Sequence, residues 1–362
     1  MSLMLSLAAC GGQGAEAPAK PEAVPDPAEV RIEALLEQMS PEQKVGQLFM
    51  VRTKDLDPQL QLGGAVLFSA DVTTPEELKA KIAACQEASP LGLFIGIDEE
   101  GGRVARIAPR DAFGVQRYES MLAVGSSGDP EDARQAGLTI GTYLREYGVN
   151  VDFAPDADVF TNPQNKVIGD RAFSTDPQIA ADMVSACVDG FHQSGTICCI
   201  KHFPGHGDTL SDTHNGTVFV EKTWEEMLEC EMLPFKAGIA AGTDMVMAAH
   251  VNAVNVSSDG LPASLSKEMI TGRLRGELGF DGVVITDALE MKAIDDAYGT
   301  GEACVMAFEA GADILLMPSD IHKAYDGVLE AVRSGRISAE RLNQSVARIL
   351  RLKLQYGIIP LE

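Results

Sequence analysis

The chain is poor in positive charge: 29 Lys and Arg stand against 53 Asp and Glu over 362 residues, a formal net charge of −24. Phosphate recognition needs clustered cations, so this balance argues against nucleic acid as a partner and describes a self-repelling, soluble surface. No segment approaches the roughly 20 apolar residues of a membrane span. The seven cysteines, at 10, 85, 187, 198, 199, 230 and 304, form no CxxC pair and no regular spacing, so no disulfide framework is read from them. No GxGxxG turn follows the first apolar run, and no tandem repeat of about 20 to 50 residues is visible. Aromatics make up only 6% of the chain, yet 45% is hydrophobic. A large core is therefore available, and global disorder is not expected.

Residues 11–26 are small, polar and Pro-rich, a composition that reads as a tether, and the folded unit is expected from residue 27 to the end. Before the tether, Leu7-Ala8-Ala9-Cys10-Gly11 has the form of a bacterial lipobox without the usual basic residues ahead of it. This predicts lipidation at Cys10 and an extracytoplasmic, membrane-anchored protein. Beyond residue 27, eight apolar runs rich in β-branched residues alternate with amphipathic segments. The runs fall at 45–51, 64–68, 93–97, 149–153, 196–200, 244–248, 282–285 and 313–317. Helices are predicted at 74–87, 130–147, 177–193, 223–241, 266–278, 289–310, 321–334 and 338–356. Eight such units predict a single-domain (β/α)8 TIM-type barrel of the α/β class.

Polar clusters follow the apolar runs directly, at the end of a barrel where active sites are built. Asp98-Glu99-Glu100-Gly101-Gly102-Arg103 follows the third run, and Asn165 to Arg171 lies in the loop after the fourth. Lys201-His202-Phe203-Pro204-Gly205-His206-Gly207-Asp208 follows the fifth, His250 the sixth, and Thr286-Asp287 the seventh. Residues 201–214 hold three His and two Asp among Gly and Pro that permit tight turns. His202, His206 and His214 with Asp208 and Asp212 are types that ligate zinc, although they lack HExxH or HxH spacing. Asp212 and His214, two apart in an extended segment, point the same way, so the carboxylate can orient the imidazole for proton exchange. Capping is the third reading of these residues, and of Asp287 ahead of a helix. Residue patterns alone leave these alternatives open.

The span from about residue 27 to 356 resembles glycoside hydrolase family 3, and within it the single-domain β-N-acetylglucosaminidases that process peptidoglycan fragments. The resemblance rests on IDEEGGRVAR at 97–106, VIGDRAF at 167–173, KHFPGHGDTLSDTH at 201–214, MAAHV at 247–251 and ITDALEM at 285–291. It implies Asp287 as a carboxylate nucleophile, Asp212 and His214 as the acid/base dyad, and Asp98, Arg106, Arg171, Lys201 and His202 around the sugar. It implies no cofactor and no metal, and a GlcNAc-containing glycan as substrate. Arg103 is expected to serve structural pairing, His206 and Asp208 to shape their loop, and His250 either to line the site or to satisfy core polar groups. The chain departs from the family at Glu99, often Gln, and at Thr213, often Ser. Phosphate in place of water as acceptor, or a sugar-binding lipoprotein without turnover, are the alternative activities. The natural aglycone and the oligomeric state are not readable.

Overall fold

The computed structural model describes residues 26–209 and 218–361. Cys10, Asp212, Thr213 and His214 lie outside the described residues. Among the described residues ten strands form: β1 (Phe49–Arg52), β2 (Gly64–Val66), β3 (Phe94–Ile97), β4 (Val151–Asp152), β5 (Ile197–Phe203), β6 (Val218–Val220), β7 (Met245–Ala248), β8 (Val251–Ala253), β9 (Val283–Thr286) and β10 (Leu315–Leu316). Eight of them make one all-parallel sheet in the order β10-β1-β2-β3-β4-β5-β7-β9. A parallel bridge between Ile285 and Ile314 joins its two edges, so the sheet closes into the expected barrel. The pair β6 and β8 is a separate parallel ribbon above it.

The helices are α1 (Pro27–Gln38), α2 (Pro41–Gln47), α3 (Pro75–Glu87), α4 (Met121–Gly125), α5 (Pro130–Tyr147), α6 (Pro177–Ser194), α7 (Trp224–Glu229), α8 (Met232–Ala240), α9 (Lys292–Tyr298), α10 (Thr300–Ala310), α11 (Ile321–Arg333) and α12 (Ala339–Gln355). Their ends follow local chemistry. Helix α5 starts where the Asp129 carboxylate accepts from the Glu131 N–H ahead of Pro130, and stops at Gly148 with φ 91°. Helix α6 repeats the device with Asp176, Pro177 and Gly195. The two pack closely because a Cβ on Gly190 would stand 2.1 Å from the Arg134 carbonyl oxygen.

Five expectations need correction. The run at 45–51 is split: Ser40 caps α2 through a capping box with Gln43, and α2 consumes the run to Gln47 before β1 begins. No α-helix joins β1 to β2, only two short 3-10 turns, so the chain lacks one of the eight βα units. The helix expected over 223–241 is two helices, because Pro234 cannot donate to the Cys230 carbonyl and its ring collides there. The helix expected over 289–310 begins only at Lys292 and breaks at Gly299, φ 71°. Residues Glu268–Glu277 form a π-helix in place of the expected α-helix, for which the sequence offers no explanation. Among the described residues no helix is long and apolar enough to cross a membrane.

Candidate active site

The strand exits surround a cavity of about 320 Å³ whose wall includes Asp98, Arg106, Arg171, Lys201, His202 and Asp287. These six come from distant parts of the sequence, and the barrel brings them together because each lies in the last residues of a strand, directly after one, or in the loop beyond it; Lys201 and His202 belong to β5 itself.

Lys201 is the hub. It is 2% exposed and places its ammonium 2.9 Å from Asp98 Oδ1 and 2.6 Å from Glu100 Oε1. Burial works against its charge, but these two carboxylates outweigh it and hold the ammonium above the usual lysine range. Asp98 takes a second cation, Arg106 Nη2 at 3.1 Å. Burial raises the Asp98 carboxyl, yet Lys201 and Arg106 pull it below the ordinary value. Asp98 is thus an ionised acceptor whose side chain remains 24% exposed, suited to gripping two sugar hydroxyls.

Arg171 forms a fork on Glu100, with both N to O distances 2.8 Å, and stands 3.5 Å from Asp156 Oδ2. Its Nη2 lies 3.1 Å from His202 Nε2. A guanidinium only donates, so Nε2 accepts and the His202 proton sits on Nδ1, which donates to Asp158 Oδ2 at 2.8 Å. Burial, then the Asp156 carboxylate against it, pushes the Asp158 carboxyl well above its usual range. Burial likewise raises Asp156. These bonds hold the side chains of the cavity wall in place through one another.

Asp287 follows β9 directly. Its N–H donates to the Ala248 carbonyl at 2.8 Å, and its Oδ1 accepts from the Ala288 N–H at 2.7 Å. No helix starts until Lys292, so the capping reading of Asp287 is overturned. The fully buried His250 holds the adjoining backbone: its Nε2 is 2.9 Å from the Ala288 carbonyl and its Nδ1 2.7 Å from Ser264 Oγ. His250 thus satisfies core polar groups, as one of its two expected roles requires.

Arg103 pairs with Asp170 at 2.7 Å and donates to the carbonyls of Lys166, Val167 and Ile168, as expected for a structural residue. The His206 N–H donates to Asp158 at 2.5 Å, and Asp208 accepts from Thr161 at 3.0 Å. Gly207 is required because a Cβ there would meet the Val159 carbonyl oxygen at 1.9 Å. The described members of the imagined zinc set do not gather: Asp208 faces Thr161 and Lys222 instead of the histidines. Asp156, Asp158 and His202 do present ligand atoms within 4.8 Å of one another, but the Arg171 guanidinium already fills the cation position beside them.

Glu99 has a role that the sequence does not reveal. Fully buried, it accepts from three consecutive backbone N–H groups, Arg106 at 2.5 Å, Ile107 at 2.8 Å and Ala108 at 2.8 Å, and from the Tyr143 hydroxyl at 2.9 Å. Four donors demand two acceptor oxygens, which a carboxylate supplies and an amide does not. The loop so wrapped carries Arg106 to Asp98. Sequence reasoning also missed Glu100, Arg52 and Glu290. Glu100 lies two residues past Asp98 in an extended segment, a spacing that puts both on one face. Arg52 ends β1, pairs with Glu290 and lies 4.3 Å over the Phe68 ring; both partners line the cavity.

Residues 40–352 match the glycosyl hydrolase family 3 N terminal domain. The chain is 36% identical over 327 residues to beta-hexosaminidase A of Pseudoalteromonas piscicida, covering 83% of this chain and 54% of that protein. It is 33% identical over 354 residues to beta-hexosaminidase LpqI of Mycobacterium tuberculosis, covering 93% and 89%. A solved family 3 beta-N-acetylglucosaminidase from a Paenibacillus species superimposes with a TM-score of 0.84 at 40% identity, over 88% of this chain and 63% of that one. The chain therefore spans little more than half the length of the first of these relatives. Barrel, cavity and the match across residues 40–352 agree, and the chain belongs to glycosyl hydrolase family 3.

Proposed function

We propose that the chain is a retaining β-N-acetylglucosaminidase that removes non-reducing terminal β-linked GlcNAc from peptidoglycan fragments or chitin-like oligosaccharides. The observation that carries this reading is a half-buried carboxylate, Asp287, in the same cavity as the Asp98, Arg106 and Lys201 cluster. A sugar held by its hydroxyls at the cluster can present its anomeric carbon to Asp287. The names of the relatives support the choice of a hexosaminide.

In the first step Asp287 attacks the anomeric carbon and the glycosidic bond breaks, while His214, oriented by Asp212, donates a proton to the departing oxygen. In the second, His214 takes a proton from water as its oxygen attacks the glycosyl carbon and frees the Asp287 carboxylate. The positive wall of Arg106, Arg171 and Lys201 is neutralised by its own acids, so the cavity holds a neutral sugar without attracting anions at random. Cys10 as a lipid anchor, which would hold the enzyme outside the cytoplasm, belongs to the same proposal.

Hydrolysis of p-nitrophenyl β-GlcNAc by the wild type, Asp287→Ala and His214→Ala, with and without phosphate, tests it. Turnover that is lost in the first variant and strongly reduced in the second is the expected result. Absence of wild-type turnover, or full activity of Asp287→Ala, would overturn it, and acceleration by phosphate would make the enzyme a phosphorylase.

A further inference from the structure

The opposite end of the barrel holds a second cluster of ligand-type side chains. His192 lies in the last turn of α6, Cys198 is the second residue of β5, and Asp244 immediately precedes β7. All three therefore sit where strands enter the barrel, while the cavity lies where they leave. Cys198 is fully buried, Asp244 is 7% exposed, and the His192 side chain is 30% exposed.

Their ligand atoms form a small triangle. His192 Nε2 stands 3.3 Å from Asp244 Oδ2. Cys198 Sγ is 3.8 Å from that nitrogen and 3.6 Å from that oxygen. A tetrahedral zinc ion with sulfur at about 2.3 Å and nitrogen and oxygen at about 2.0 to 2.1 Å requires edges of about 3.3 Å between nitrogen and oxygen and about 3.6 Å to sulfur. The observed edges follow the same order, with the two sulfur edges the long ones. The donor set of one thiolate, one imidazole and one carboxylate suits zinc and cobalt and disfavours magnesium or calcium.

We propose that His192, Cys198 and Asp244 form a zinc site at the strand-entry end of the barrel, separate from the sugar cavity. Tyr356, following α12, donates its hydroxyl to both Asp244 oxygens at 2.9 and 2.8 Å, and the Cys198 N–H donates to Oδ2 at 3.1 Å. These bonds aim the carboxylate at the ion, as outer-sphere partners do. A neighbouring cavity of about 170 Å³ shares Thr243 and Asp244 as lining and admits the water that completes the tetrahedron. Binding displaces the thiol proton to solvent, and the imidazole binds through Nε2 with its proton on Nδ1. The ion ties the end of α6 to two neighbouring strands, and through Tyr356 to the last helix. Its role is to hold the barrel floor, not to act on substrate.

The test is titration of EDTA-dialysed full-length protein with Co²⁺. The site predicts one equivalent bound, with a thiolate-to-cobalt charge-transfer band in the near ultraviolet and intense tetrahedral bands in the visible, all removed by Zn²⁺. Cys198→Ser should abolish the charge-transfer band and leave the circular dichroism spectrum and glycosidase activity intact. Tyr356→Phe should weaken zinc binding by about ten- to a hundredfold. Absence of the band in the wild type, or its persistence in Cys198→Ser, would overturn the proposal. Because the Asp156, Asp158 and His202 group has no sulfur, cobalt bound there gives no such band.

Discussion

Both ends of the barrel bury charge, but they use it differently. At the entry end, Asp313 is fully buried and meets three guanidinium groups: Arg275 at 2.6 Å, Arg348 at 3.5 Å and Arg341 at 3.6 Å. Most of the donors left over go to backbone carbonyls, those of Phe280, Gly282 and Gly311 for Arg275 and of Phe308 and Ala312 for Arg341, while Arg348 also pairs with Asp281. At the exit end, Lys201 and Arg171 are held almost wholly by side chains, Asp98, Glu100 and Asp156, around an open cavity. Backbone carbonyls close a cluster and make it a clamp. Side-chain partners with one face left to solvent make a receptor, since substrate hydroxyls can join the network without displacing the fold's own bonds.

The comparison is broken most severely at its receptor end. Asp98→Ala should lower kcat/KM for a GlcNAc glycoside by about a thousandfold, or ~4 kcal/mol, because buried donors then face a sugar with no acceptor between them. Its melting temperature should move little, as Lys201 keeps Glu100. The clamp should behave in the opposite way. Asp313→Ala leaves Arg275 and Arg341 without a carboxylate, while Arg348 keeps Asp281, and should destabilise the fold by ~3–5 kcal/mol in urea unfolding, with kcat unchanged per folded molecule. Loss of kcat without loss of stability would erase the distinction.

Glu99→Gln sharpens the comparison between the ends. It removes one acceptor from a set of four donors, and should raise KM about tenfold through Arg106 while kcat falls less. Tyr143→Phe takes away one of those donors, so in the double variant the two effects should be less than additive. Additive effects would show that the hydrogen bond between them does not position the loop.

The smallest effect concerns Lys353, fully buried at the entry end, where its ammonium meets Gln47 Oε1 and the Gly92 carbonyl, both at 2.7 Å. Burial pushes it down to about 7, well below its unfolded value near 10.4. Between those two pH values the unfolded chain binds the extra proton, so this residue makes stability rise with pH across that window and imposes its full penalty below it. Lys353→Met should therefore gain most on the wild type at pH 7, with its relative advantage falling steadily toward pH 10. A constant gap across the series would contradict the titration. Comparing the two proteins cancels the raised thiol of Cys304 and the raised Tyr147, which act in the opposite sense.

The barrel and most of the cavity wall were legible in the sequence because each needs only a local signal, an apolar run followed by a polar residue. Asp98, Lys201 and Asp287 announce themselves in that way. Arg52 obeys the same rule but was hidden because α2 and β1 share one apolar run, and its partner Glu290 lies 238 positions away. Glu99 was read only as a departure from Gln, since four convergent donors from two other segments leave no trace in spacing. The Pro234 break was legible in principle, because proline ends a helix locally, whereas the missing helix between β1 and β2 is a tertiary outcome of a short connection, which propensity does not register.

The most direct test of the central claim is to trap the intermediate. Wild-type enzyme incubated with a fluorinated, activated GlcNAc analogue that is glycosylated quickly and released slowly should gain the mass of one sugar. Peptide mass spectrometry should place that mass on Asp287, with none gained by Asp287→Ala. A sugar adduct on any other residue, or full turnover of the analogue with no adduct and an unimpaired Asp287→Ala variant, would contradict the account.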